Sequence, residues 1–258
     1  MTRRLSKLTY LSGIAVYLFL YLPLIIVMLY SFNDSKLNAE WIGFTGRWYS
    51  KLFHNEEMVE AASNSLIIAL VASLVSTILG TLAGLALHRY KLRLLPVLIL
   101  APVAIPEILM GVALLVFFVM LNLTLGMLSV ILAHIAFCIS FVAVVVRSRL
   151  AGMDESLVEA ARDLGASPLK AFWLVTLPLI MPGIIAGALM AFTLSIDDFV
   201  ITFFTSGAGT STLPVKIYTM VKIAVTPEVN AVSTLLMLLT LCLIVVATKI
   251  APGILRSD

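Results

Sequence analysis

Residues 159–178 read EAARDLGASPLKAFWLVTLP, a polar, helix-forming stretch with a glycine in its middle and a proline at its end. Just upstream, Ser156 followed by Glu159 matches a capping box, in which the hydroxyl takes a backbone N–H and the carboxylate reaches back to the cap. Helix formers continue to Leu164, and Gly165 stands where a left-handed residue ends a helix. Ser167 and Pro168 then start another as cap and first-turn proline, and Lys170 to Leu177 continue it until Pro178. The spacing predicts a short helix, a tight turn and a second helix. Leu157, Ala160, Ala161 and Leu164 fall at i, i+3, i+4 and i+7, one apolar stripe, with Glu159, Arg162 and Asp163 off it. Such a helix suits insertion into a groove of another protein; it equally suits packing on the ends of its own neighbouring helices.

The rest of the chain explains why this stretch stands out. Of 258 residues, 61% are hydrophobic and 12% charged, and the mean hydropathy is +1.11. Soluble domains carry about 25% charged residues, so the composition points to a membrane protein. Six segments have the length and apolarity of spans: 8–32, 62–87, 94–121, 128–146, 179–204 and 230–248. The first is too long for a signal-peptide core and no small-x-small cleavage site follows, so it reads as a retained span. The expected fold is all-α, a polytopic membrane protein forming one transmembrane domain over 1–258.

Charge decides the orientation. An even number of spans puts both termini on one side. Arg3, Arg4, Lys7, Arg89, Lys91, Arg93, Arg147, Arg149, Arg162, Lys170, Lys249 and Arg256 flank the spans on that side, against Lys36, Arg47, Lys51, Lys216 and Lys222 on the other. By the positive-inside rule both termini and segment 147–178 are cytoplasmic. Ser76, Gly80 and Gly84, and likewise Gly183, Gly187 and Ala191, recur every four residues and predict close helix contacts. Thr226 and Pro227 read as cap and first-turn proline of the last span, and 214–225 as an amphipathic helix. Cys138 and Cys242 sit in apolar runs and fit neither a disulfide framework nor a metal site.

The pattern Glu159-Ala160-Ala161, Gly165, Val175, Leu177-Pro178 resembles the E-A-A signature of importer-type ABC permeases, with valine where isoleucine is usual. The likeness extends to YLPLIIVMLYSFN, WIGFTGRWYSKLF, SFVAVVVRSRLAGMDESLVEAARDLGAS, FTLSIDDFVITFF and LPVKIYTMVKIAVTPEVNA. These are similar to the PotC-type permeases of the spermidine/putrescine importers. The resemblance implies a type I importer (MetI-like) fold with six transmembrane helices in the bacterial inner membrane. It implies a second, homologous PotB-like permease, two copies of a cytoplasmic PotA-like ATPase and a periplasmic PotD-like polyamine-binding protein. It makes Glu159, Ala160, Ala161, Leu164, Gly165 and Pro178 the ATPase-coupling residues. ATP and Mg would be bound by the ATPase, with no cofactor in this chain and no nucleic acid as partner.

Three acids fall within spans: Glu107, Asp197 and Asp198. A carboxylate at mid-span costs about 2.5–3.5 kcal/mol on insertion scales, so it faces a water-filled path or a partner. Counting about 1.5 Å per residue puts Glu107 roughly 20 Å into the third span and Asp198 roughly 29 Å into the fifth. Ser195, Asp198, Thr202 and Thr205 would share one helical stripe, placing Asp198 on the path and Asp197 toward a partner. No Lys or Arg lies within these spans, which leaves a negative lining that attracts cations; a structural hydrogen bond is the other role open to each acid. Trp48 stands either in an interfacial aromatic belt or as a cation–π wall for a cationic cargo.

Other classes fit less well. No H-E-x-x-H, G-x-G-D or Walker pattern occurs, and His54, His88 and His134 are scattered, His134 reading as a packed or hydrogen-bonded side chain. A proton-coupled cation transporter would use Glu107 and Asp198 but leaves 159–178 unexplained. The expectation is a permease subunit for polyamines, or for another small cationic solute, without its own ATPase site.

Overall fold

A computed structural model describes residues 7–36, 38, 40–90 and 93–250. Arg3, Arg4, Lys91 and Arg256 of the charge count lie outside the described residues. Among the described residues the named elements are helices, and one isolated bridge joins Asn33 to Phe44. The chain divides into two compact units, residues 1–59 with 216–239 and residues 60–215 with 240–258.

In the first unit, helix α1 (Lys7–Tyr30) is apolar and keeps its large side chains exposed, as a helix meeting lipid or another helix does. The chain then doubles back around Asn33, whose side chain donates to the Glu40 carbonyl at 2.8 Å and accepts from the Ile42 amide at 3.0 Å. The short α2 (Arg47–Phe53) follows. In the same unit Lys51 lies 2.6 Å from Glu228, and Lys216 pairs with Glu57. Thr226 Oγ1 accepts from the Val229 amide at 3.4 Å, and Pro227 opens the last helix, so the expected cap is present.

The second unit is organised around α6 (Met127–Ala151). Glycines let two helices approach it. On α3 (Glu56–Arg89), a methyl at Gly80 would come within 2.5 Å of Val142 Cβ, and one at Gly84 within 3.1 Å of Val146 Cβ. On α9 (Leu177–Ile196), one at Gly187 would lie 3.1 Å from Val142 Cγ1. Both rows of small residues thus mark real contacts, and removing the side chain is what allows them. Val142, Val146, Phe137, Ile180 and Ile201 fill the core beside them.

Among the described residues, five helices are long and apolar enough to cross a membrane: Thr9–Tyr30, Glu56–Arg89, Met127–Ala151, Pro168–Ile196 and Pro227–Val246. Segment 94–121, expected as one straight span, is instead two helices, α4 (Leu94–Ala104) and α5 (Glu107–Met120), bent by 109°. Ile105 and Pro106 are extended at the bend, with ψ of 131° and 134°. Proline lacks an N–H and drives the residue before it out of the helical region. The depth assigned to Glu107 by counting along a straight helix therefore does not hold.

Segment 179–204 is also not one helix. It starts earlier, at Pro168, and stops at Ile196; α10 (Val200–Thr205) follows a break at 197–199. Asp198 supports the break by offering its carboxylate to the amides of Ile201 and Thr202, at 3.3 and 2.8 Å, in place of backbone carbonyls.

Candidate functional site

The polar stretch folds as α7 (Ser156–Asp163), a turn, and α8 (Pro168–Ala171). Gly165 has φ +86°. Its amide donates to Arg162 O at 2.9 Å and the Ala166 amide to Ala161 O at 3.1 Å, the paired bonds of a Schellman turn. Ser167 Oγ accepts from the Lys170 amide at 3.3 Å and Pro168 follows, so the second start is also as expected. The capping box is not. Ser156 lies inside the first turn of α7, and the carboxylate of Asp154 accepts its amide at 3.0 Å in an Asx turn. Glu159 is left exposed, with no side-chain cap bond at the helix start. The Ser156 hydroxyl, then its amide, hold the Asp154 carboxyl below the usual carboxylate range.

The second helix does not end before Pro178. A π-helical turn, Phe172–Thr176, joins α8 to α9, so one rod runs from Pro168 to Ile196. The apolar stripe is largely uncovered: Leu164 is 90% exposed, and Leu157, Ala160, Leu169, Trp173 and Leu174 are also exposed. Val158 and Ala161 are the half-buried positions of α7. His88 at the end of α3 lies 3.4 Å from Glu155 beside it.

The acids separate by environment. Glu107 is exposed in the first turn of α5, where the helix dipole favours a negative charge. Asp197 is exposed at the break after α9. Helices α5 and α10 pack against each other; a methyl at Gly111 would come within 2.8 Å of Phe204. Asp198 is turned the other way. Its side chain is 6% exposed, and Oδ2 accepts from Thr202 Oγ1 at 2.8 Å and lies 3.2 Å from His134 Nε2. Ser195, Thr202 and Thr205 are buried as well, so the stripe expected on the path faces α6. The expectation that Asp198 is the open acid and Asp197 the secondary one is reversed in exposure, because the break removes the continuous helical phase on which it rested.

His134 is buried and hydrogen-bonded, as expected, and it lies against Asp198. Its signal in the sequence is that it is an ionisable side chain inside a span that also lacks Lys and Arg up to Arg147. In the other unit, Trp48 is 8% exposed, donates through Nε1 to Asn33 O at 2.8 Å, and is covered by its own neighbours Arg47 and Lys51, at 4.5 and 5.7 Å from the ring centroid. Its face is taken by cations of this chain.

The family model described as binding-protein-dependent transport system inner membrane component matches residues 76–256. The chain belongs to this family. The permease is 42% identical to the spermidine/putrescine transport system permease protein PotC of Escherichia coli (strain K12), covering 92% of this chain and 91% of that one. It is 45% identical to the putrescine transport system permease protein PotI of the same strain, covering 85% and 82%, and 40% identical to PotC of Haemophilus influenzae, covering 91% and 93%. Its fold is similar to that of a bacterial ABC transporter involved in the import of the acidic polysaccharide alginate, with TM-score 0.75 at 18% identity over 96% of this chain and 95% of that one. The MetNI methionine ABC transporter in inward facing conformations gives TM-score 0.61 at 22% identity over 78% and 100%. The permease therefore has the membrane-spanning, all-helical importer fold expected from the E-A-A pattern.

Proposed function

We propose that this permease is the membrane subunit of an ATP-driven importer that carries polyamines, spermidine or putrescine, by alternating access. The observation that carries the reading is the pair Glu107 and Asp197: two exposed carboxylates, each set at a helix break of the same unit. A polyamine carries ammonium groups separated by methylenes, so two spaced carboxylates can take two of its charges. The names of the relatives support the same cargo.

The working assembly has a second homologous permease, two ATPase subunits that bind ATP and Mg, and a periplasmic binding protein that delivers the polyamine. Both termini and segment 147–178 face the ATPases. The exposed Leu157, Ala160 and Leu164 of α7 seat in an ATPase groove, with Glu159 and Ala161 beside them and Gly165 as the turn. Movement there passes along the rod from Pro168 to Ile196, whose next residue is Asp197. Closing the ATPase dimer on ATP thereby shifts the acid that meets the cargo.

The test is uptake of labelled putrescine and spermidine into proteoliposomes holding the reconstituted complex. Glu107→Gln and Asp197→Asn are each expected to raise KM about tenfold, the lower end for losing a hydrogen bond to a charged group. Unchanged KM in both would overturn the cation path. Uptake that persists with ATP after a protonophore supports the importer; collapse with the proton gradient would place the chain among proton-coupled carriers.

A further inference from the structure

The break between α9 and α10 is spanned by a single side chain. His134, on α6 and 2% exposed, places Nδ1 at 2.6 Å from Ser195 Oγ, in the last turn of α9, and Nε2 at 2.9 Å from Thr202 Oγ1, in α10. The same Nε2 lies 3.2 Å from Asp198 Oδ2. One arrangement of hydrogens satisfies every group. Thr202 O–H donates to Asp198, His134 Nε2–H donates to Thr202 with the Asp198 carboxylate beside it, and Ser195 O–H donates to Nδ1. A second tie lies one element-length away, where Ser129 Oγ on α6 donates to Thr205 O at 2.7 Å.

We propose that His134 is a positioning residue of transport: it staples α9 to α10 across the 197–199 break, occupies Asp198 in doing so, and thereby aims Asp197 at the cargo. The logic is geometric. Asp197 and Asp198 are adjacent, and a backbone free to turn at the break offers either one to the open side. Three hydrogen bonds, from the amides of Ile201 and Thr202 and from the Thr202 hydroxyl, hold Asp198 inward, and His134 Nε2 lies 3.2 Å from its carboxylate. Without the imidazole, Ser195 and Thr202 lose their shared partner and the orientation of Asp197 is no longer set. Buried networks of this kind act as a unit, so removing one member disturbs the others.

This inference rests on the polyamine reading of Asp197, and its experiment separates the two. Putrescine KM and Vmax and thermal unfolding are measured on the reconstituted complex for wild type, His134→Leu, His134→Gln, Asp198→Asn and the double His134→Leu/Asp198→Asn. His134→Leu is expected to raise KM about tenfold, the consequence of orphaned buried polar groups; His134→Gln, which can both donate and accept, recovers most of it. The double variant is expected to be no worse than the worse single one, because both residues act through the same staple. A role confined to folding would lower Vmax through fewer intact transporters and leave KM alone, which overturns the proposal. Multiplying KM effects in the double variant would also overturn it, since Asp198 would then meet cargo independently. Should His134→Leu fail to assemble, Ser195→Ala, which removes one arm of the staple, replaces it in the cycle with the same expected rise in KM. If the wild type imports no polyamine, the cargo reading fails by itself. The staple is then judged by thermal unfolding: non-additive shifts support it and additive shifts overturn it.

Discussion

The Leu177 amide donates to the Phe172 carbonyl, five residues back rather than four. Pro178 is the reason. It has no N–H to give to Leu174 and its ring clashes with the carbonyl four residues earlier, and one wide turn accommodates both defects without a kink. The extra residue in that turn rotates α8 relative to α9 by about 100°. Pro178→Ala is expected to restore a regular turn, raise the thermal midpoint of the permease, and lower uptake per ATP hydrolysed by turning the coupling face away. Uptake and ATPase rates measured in the same proteoliposomes check this.

Gly165 holds φ +86° with nothing within 4 Å of the place a Cβ would occupy. The obstacle to substitution is therefore the backbone and not packing. Gly165→Val is expected to cost about 1–2 kcal/mol at that turn and to leave ATP hydrolysis running while uptake falls. Gly165→Asn, which tolerates the left-handed region better, is expected to lie between. The ratio of uptake to ATP hydrolysed for the two variants is the measurement.

Gly80 meets Val142 and the Ile139 carbonyl. Gly80→Ala is expected to destabilise the second unit by about 1–3 kcal/mol, as overpacking does. Adding Val142→Ala is expected to recover only a small part of the loss, since it removes Cγ1 at 2.8 Å but keeps Val142 Cβ at 2.5 Å and the Ile139 carbonyl at 2.9 Å. Thermal unfolding of the single and double variants in detergent reads this directly.

Asp154 gives a pH dependence whose sign follows from its lowered carboxyl. A carboxylate lowered on folding contributes stability above its unfolded value and loses it as pH falls through the folded one. The first turn of α7 is thus held at neutral pH and released below the usual carboxylate range. Hydrogen exchange of the Ser156 amide, corrected for its intrinsic rate, is expected to lose protection there, and Asp154→Ala is expected to show the same loss at neutral pH.

Prolines show how far local reading reaches. Pro23, Pro102 and Pro182 all lie inside helices that continue past them, Pro178 is absorbed in a π turn, and Pro106 marks a 109° bend. One residue type meets three outcomes, so the proline alone does not decide whether the freed carbonyl is tolerated, displaced or abandoned. The same holds at α7. The Ser-x-x-Glu spacing was present, but the helix began one residue too early for Ser156 to cap it: Glu155 stands at the cap and Asp154 takes the Ser156 amide.

By itself the sequence determined what depends on neighbours in the chain. It specified the apolar segments, the left-handed turn at Gly165, the starts at Ser167-Pro168 and Thr226-Pro227, the two glycine rows, and an E-A-A spacing that identified the family. These rest on hydrophobic runs, backbone sterics and short-range hydrogen bonds. Only the tertiary structure decided which of two adjacent acids is open. That choice depends on His134, 64 positions before Asp198 in the chain and 3.2 Å from it in space, because a buried carboxylate takes whichever orientation satisfies its hydrogen bonds, and no helical count along one segment contains its partner.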